Sequence, residues 1–168
     1  MSEDIVCVSG GFDPVHIGHL RMIQEAAEYG RVVVIVNSDE WLMRKKGYIF
    51  MPFSERCEIL QGFSATGDTT YVKDDDNTVC EALRRIRPKY FANGGDRKTD
   101  NTPEMMLCKE LGIELLWSVG GGKVQSSSTL VNDAGMLGEI SIDDDDPSLV
   151  PSRVEILQGS EIMKKSNY

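Results

Sequence analysis

Positive charge is scarce in this chain. Its 18 lysines and arginines are outnumbered by 27 aspartates and glutamates, which leaves a net charge of −9. A broad nucleic-acid surface needs a basic footprint, so the balance argues against that function class. It leaves room for a phosphorylated small molecule, because a pocket of Lys, Arg, His and backbone N–H groups can be positive inside an acidic envelope. Long apolar runs are missing as well. None reaches the roughly 20 residues of a membrane span, and Met1-Ser2-Glu3-Asp4 lacks the basic start of a signal peptide. The expected location is the cytoplasm, away from membranes. Cys7, Cys57, Cys80 and Cys108 include no Cys-x-x-Cys pair, so free, mostly buried thiols are expected rather than a disulfide framework or a zinc site. A Gly-Lys-Ser/Thr Walker sequence is also absent, which argues against γ-phosphoryl transfer by a P-loop.

What is present is an alternation of strand and helix signals over 168 residues, a length suited to one domain. Ile5 to Ser9 is a short apolar strand. Val32 to Val36 is β-branched throughout, the mark of a strand buried on both faces. Further strands are expected at Thr69 to Val72, Tyr90 to Ala92 and Ile113 to Trp117. Helices are expected from Gly18 to Tyr29, Asp39 to Arg44, Ser54 (as N-cap) to Phe63, Asn77 (as cap) to Ile86, Thr102-Pro103 to Leu111, and from the Ser126-Ser127-Ser128-Thr129 run. The fold class is therefore α/β, a single Rossmann-like domain with a five-stranded parallel sheet flanked by helices. The domain is expected to cover residues 1–138, with an acidic C-terminal extension over 139–168. Asp74-Asp75-Asp76 and Asp143 to Asp146 read as solvated segments, without the ligand spacing of a calcium loop.

The segment Gly10-Gly11-Phe12-Asp13-Pro14-Val15-His16-Ile17-Gly18-His19 carries most of the functional signal. A glycine turn between a strand and a helix N-terminus is where open α/β sheets hold phosphates. The spacing of His16 and His19 lets both imidazoles face one anion. Asn93-Gly94-Gly95-Asp96-Arg97 follows another strand and is expected to face the same crevice. Lys45-Lys46 is expected in a loop, and Arg56 on a helix. Together these groups suit negative charge growing on a phosphorus centre. No Ser-His-Asp order, paired-carboxylate arrangement or metal-ligand cluster competes with them.

The histidine segment resembles the G-x-F-D-x-x-H-x-G-H signature of the cytidylyltransferase-like nucleotidyltransferases, and Ser126-Ser127-Ser128-Thr129 resembles their I-S-S/T-T helix start. Lys46-Gly47, Pro52-Phe53-Ser54-Glu55-Arg56 and Gly94-Gly95-Asp96 are similar to segments of the adenylyltransferase domain of bacterial ADP-heptose synthases. Glycerol-3-phosphate cytidylyltransferases share the order less closely. The resemblance runs from about Ile5 to Val131. It implies that His16 and His19 contact the nucleotide's phosphates and stabilise the transition state. Lys46, or Lys45 if the register slips, would hold phosphate oxygens, and Arg56 would bind the acceptor or the triphosphate. Gly10, Gly11 and Phe12 would let the backbone approach the α-phosphate, with Asp13 orienting the loop. Gly95 and Asp96 would line the nucleoside pocket. The N–H groups of Ser127, Ser128 and Thr129 would cradle the β- and γ-phosphates, with Arg97 and Lys123 as additional candidates.

The implied reaction joins the nucleoside monophosphate of a triphosphate to a phosphorylated acceptor and releases pyrophosphate. ATP is favoured and CTP is the alternative; Mg2+ is expected to bind mainly through the triphosphate, and a homodimer is expected. Heptose 1-phosphate is the leading acceptor, with glycerol 3-phosphate and phosphoethanolamine as alternatives. The pantetheine-phosphate, nicotinamide-mononucleotide and flavin-mononucleotide adenylyltransferases stand further off. Two departures bear on this. Gly11 stands where many relatives have Thr or Cys, and the Arg that the glycerol-phosphate enzymes carry shortly before the Ser/Thr signature is missing, with only Lys123 nearby, which weakens the cytidylyltransferase assignment. Two other classes compete with this one. His16-Ile17-Gly18-His19 also matches the HIGH motif of class I aminoacyl-tRNA synthetases, which need further domains and a basic RNA face. A non-catalytic nucleotide-binding module is the other.

Overall fold

The computed structural model describes residues 3–94, 102–121 and 126–141. In β1 (Ile5–Gly10), Val6 and Val8 face one apolar cluster while Cys7 faces another, and β2 (Arg31–Val36) divides the same way between Val32, Val34, Val36 and Val33, Ile35. Strand side chains alternate between faces, so two uniformly apolar strands imply a sheet covered on both sides. The first face is covered by α1 (Ile17–Ala26), through Met22, Ile23 and Ala26, and by α3 (Phe53–Gln61), through Leu60. The second is covered by α4 (Cys80–Ile86), through Cys80, Ala82 and Leu83, and by α5 (Pro103–Leu111), through Leu107 and Cys108.

With β3 (Thr66–Thr70), β4 (Tyr90–Gly94) and β5 (Glu114–Val119), the sheet has five parallel strands in the order β3-β2-β1-β4-β5. The chain leaves β1 toward β2 and returns across it to β4, so β1 and β4 flank the point where strand order reverses. Ligands of such sheets bind beyond the carboxyl ends of the strands at that point. The helices α2 (Asp39–Lys46) and α6 (Ser127–Ser141) complete the described elements. The expected domain edge at 138 falls inside α6, and the extension from residue 142 onward lies outside the described residues. Among the described residues no helix is long and apolar enough to cross a membrane, and no group of three or more His, Cys, Asp or Glu is placed to hold a metal ion. The four cysteines are free, three of them buried; burial pushes the Cys7 thiol up to about 12.

Several local expectations are corrected. Lys45 and Lys46 form the last turn of α2 rather than a loop, and Gly47 ends that helix in the left-handed conformation at φ 81°. Ser54 is inside α3; Pro52, extended at φ −65° and ψ 160°, is the N-cap, without a side-chain cap bond. β3 begins at Thr66 rather than Thr69, a polar edge strand with no apolar alternation to mark it. Asn77 does not cap α4: it adopts φ 64°, its amide oxygen accepts from Arg44 Nε at 3.0 Å, and the helix begins at Cys80. Asp74 is buried rather than solvated. Its carboxylate accepts from Ser38 N–H at 2.8 Å, Ser38 Oγ at 2.6 Å and Asn37 Nδ2 at 3.1 Å, which fixes the exit of β2.

Candidate active site

His16 is the N-cap of α1, and its Nδ1 accepts the Gly18 N–H at 3.1 Å. His19, in the first turn, accepts the His16 N–H on its own Nδ1 at 3.1 Å. The two rings thus make a capping box usually built from Ser or Thr with Glu or Gln. A ring nitrogen that accepts an N–H carries no proton, so each imidazole is neutral and protonated on Nε2. The rings stack with centroids 3.8 Å apart and planes 23° apart, an arrangement two cations would resist. Burial holds His19 down at about 3, helped by His16 and the Lys46 ammonium. The pair is therefore set as neutral hydrogen-bond donors through Nε2–H.

This has a consequence for stability. Folding lowers the His19 pKa from 6.5 to about 3, so between those values the unfolded chain binds the extra proton. Stability then falls as pH drops through that window. Unfolding midpoints measured at pH 7 and pH 4.5 should show a smaller acid loss for His19→Asn than for the wild type; equal losses would remove His19 from the acid response.

Lys46 and Asp13 complete the loop. Both Asp13 oxygens accept backbone N–H groups, one from Phe50 at 2.7 Å and the other from Met51, so Asp13 pins the segment after α2 to the histidine turn. Burial raises its pKa, partly opposed by those two amides and by the Arg56 and Lys46 charges. Lys46 Nζ lies 3.4 Å from the Asp13 carbonyl oxygen, and burial lowers its pKa despite the Asp13 carboxylate. Lys45 instead sits over the Trp41 ring, Nζ 5.4 Å from its centroid, so of the two lysines it is Lys46 that the fold brings to the loop. Tyr48, not expected at the site, has its pKa raised by burial and by Asp13.

Arg56 lies on a helix, α3, as expected, and reaches the glycine loop. It is fully buried, and its guanidinium donates to the carbonyls of Met51 at 2.9 Å, Gly11 at 2.7 Å and Asn37 at 2.8 Å. A fourth bond reaches Asp39 Oδ1 at 2.6 Å. Four of its five N–H donors are thereby committed to backbone and carboxylate, tying the glycine loop, the end of β2 and the start of α3 together. Gly11 has its own reason to lack a side chain: a Cβ there would lie 3.0 Å from Leu42 Cδ2 and 3.3 Å from Trp41 Cζ3. The side chains of α2 occupy the room that Thr or Cys would need. Gly10 ends β1, its carbonyl accepting from Asn37 N–H at 3.0 Å. Phe12 is buried in the core at φ 54° and meets the His19 ring edge-on at 4.8 Å.

The serine run reaches the same place from the other side of the sheet's midline. Ser127 Oγ donates to the Pro14 carbonyl at 2.7 Å, joining the start of α6 to the histidine loop. Ser126 Oγ caps the helix by accepting the Thr129 N–H at 3.0 Å. That commits the Thr129 amide, expected to meet a phosphate, to the cap. The N–H groups of Ser127 and Ser128 remain as first-turn donors. Gly95, Asp96, Arg97 and Lys123 lie outside the described residues. Asn93, which the sequence places in the segment expected to face this crevice without giving it a role of its own, lies inside β4 rather than after it. A cleft of about 490 Å3 at the opposite, amino end of the strands is lined in part by Asp4, Glu28, Tyr29 and Arg31, and its acidic rim does not suit a phosphate.

A doubly wound parallel sheet with two neutral imidazoles, a lysine and a helix start gathered at its switch point defines an α/β domain shaped to hold an anion. A family model described as cytidylyltransferase-like matches residues 7–132, and the chain belongs to that family, one of nucleotidyltransferases. It is similar to the bifunctional protein HldE of Streptomyces coelicolor, 35% identical over 111 residues that cover 64% of this chain and 24% of that protein. HldE of Hydrogenovibrio crunogenus is 32% identical over 122 residues, covering 71% of this chain and 23% of that one. The chain thus spans about a quarter of the length of these relatives. The FAD synthase of Pyrococcus horikoshii is 29% identical over 112 residues, 66% of this chain and 75% of that protein. Among solved structures, a lipopolysaccharide core biosynthesis protein from Thermoplasma volcanium GSS1 shares the fold, with a TM-score of 0.57, 22% identity, and coverage of 69% of this chain and 94% of that one.

Proposed function

We propose that this chain transfers the nucleoside monophosphate of a triphosphate, ATP before CTP, to a phosphorylated sugar or polyol such as heptose 1-phosphate. Pyrophosphate is the second product. An oxygen of the acceptor's phosphate bonds to the α-phosphorus, and the bond from that phosphorus to the bridging β-oxygen breaks. The acceptor phosphate is already ionised at neutral pH, so no strong base is needed and the protein's task is positioning with charge neutralisation.

The observation that carries this reading is the pair of imidazoles whose Nδ1 atoms accept the backbone N–H groups of Gly18 and His16, beside Lys46 and within one loop of the α6 start. His16 and His19 would donate Nε2–H to the phosphorus oxygens as their charge grows. Lys46 would neutralise the phosphate of the triphosphate or the acceptor. The amides of Ser127 and Ser128 would hold the departing pyrophosphate. Both oxygens of Asp13, the carboxylate of this loop, are already taken by amides, so Mg2+ would enter bound to the triphosphate as part of the substrate. The working assembly is a homodimer, the state the family resemblance implies.

Pyrophosphate release in the presence of Mg2+ tests the reading. ATP or CTP is paired in turn with heptose 1-phosphate, glycerol 3-phosphate, phosphoethanolamine and flavin mononucleotide. Release with ATP and the sugar phosphate is the expected result. Release only with flavin mononucleotide would shift the acceptor toward that named for the Pyrococcus relative, and silence with every pair would leave a binding module.

A further inference from the structure

Asn93 stands next to last in β4, at the carboxyl end of the sheet. The parallel register of β1 and β4 pairs Val6 with Tyr90 and Cys7 with Phe91, and Asn93 follows two residues beyond that last pair, on a strand that flanks the switch point. On its other side the ladder is irregular. Ala92 pairs with Leu116 but Gly94 pairs with Val119, so the register slips opposite Asn93, with the extra residue in β5. Irregularities of this kind are common beside active sites, where they re-aim a side chain.

The Asn93 amide nitrogen is buried and has no hydrogen-bond partner among the described residues. Buried polar groups are nearly always paired, and leaving one unpaired costs stability. The other such atom, Thr66 Oγ1, begins β3 at the far, amino edge of the sheet. Among the described residues only Asn93 combines an orphaned donor, a register slip opposite it and a place on a strand that flanks the switch point.

We infer that Asn93 is a substrate-binding residue whose amide donates to an oxygen of the bound nucleoside triphosphate. The inference rests on the nucleotidyltransferase reading of this crevice and adds a contact to it. An unpaired donor in the empty protein becomes paired when the nucleotide arrives, so the stability forgone in one state returns as affinity in the other. The oxygen belongs either to a ribose hydroxyl or to a phosphate.

The test measures nucleotide affinity by calorimetry and unfolding midpoints without nucleotide, for the wild type, Asn93→Leu and Asn93→Ala. Leucine keeps the volume and removes the amide; alanine covers the case that leucine does not fit. In at least one variant the Kd for ATP or CTP should rise about tenfold, the scale of one lost hydrogen bond. In the same variant the midpoint should match the wild type or exceed it by about 2–4 °C, because a buried unsatisfied donor is gone. Unchanged affinity in both variants, or midpoints below the wild type in both, would overturn the inference. Titrations with 2′-deoxy and 3′-deoxy triphosphates separate the two oxygens. A ribose contact makes one deoxy compound bind wild type and variant alike, whereas a phosphate contact preserves the tenfold gap in both. If the wild type binds a triphosphate yet releases no pyrophosphate with any acceptor, the proposed reaction fails while the Asn93 contact is still decided by these titrations.

Discussion

His19→Asn lowers kcat about 10²–10³-fold while the protein stays folded, the loss expected when one transition-state donor is removed. Asparagine places an acceptor close to where Nδ1 of His19 receives the His16 N–H, so the capping box survives. What disappears is the Nε2–H donor. His16→Asn acts in the same way, because Asn is among the best N-caps and can receive the Gly18 N–H in place of the imidazole. Steady-state pyrophosphate release gives kcat, and a thermal scan of the same samples confirms folding. Turnover within about fivefold of the wild type in both variants, with unchanged midpoints, would reduce the histidines to helix caps.

The second large effect falls on stability. Arg56→Leu should destabilise the protein by about 3–5 kcal/mol, the cost of removing one partner of a buried charged network. It strands the carbonyls of Met51, Gly11 and Asn37 and leaves Asp39 without its ion pair. Arg56→Lys keeps the charge but cannot span acceptors in three directions, so a loss about half as large is expected. Urea unfolding measures both. The alternative, in which Arg56 binds substrate, predicts a raised KM in Arg56→Lys with an unchanged urea midpoint, and that pattern would return the residue to the nucleotide.

The two Arg56 readings mark the line between what sequence shows and what it hides. The glycine-histidine loop was legible because its chemistry is local: a strand, a turn, a helix start and two imidazoles within ten residues. The same holds for α5, where Thr102 caps by accepting the Met105 N–H and Pro103 takes the first helical position. The uniformly apolar β2 announced a covered strand. Long-range partners were hidden. Arg56 sits 45 positions from Gly11, and Asp74 sits 36 from Ser38, so nothing beside either residue signals its burial. A guanidinium in a phosphate-binding family invites an electrostatic role, and only packing shows four of its five donors already committed. Ser54 and Asn77 failed as caps for another reason. Cap preference names good residues, while the backbone chooses the position: Pro52 started its helix two residues early, and Asn77 took a left-handed turn ahead of α4.

Three of the four acceptors around Arg56 are main-chain oxygens. Every amino acid carries such an oxygen, so substitutions at Met51 or Asn37 leave the arginine's partners in place. The dependence runs in one direction. The side chains of Met51 and Asn37 can therefore change without loosening this grip, whereas the guanidinium cannot be replaced without losing it.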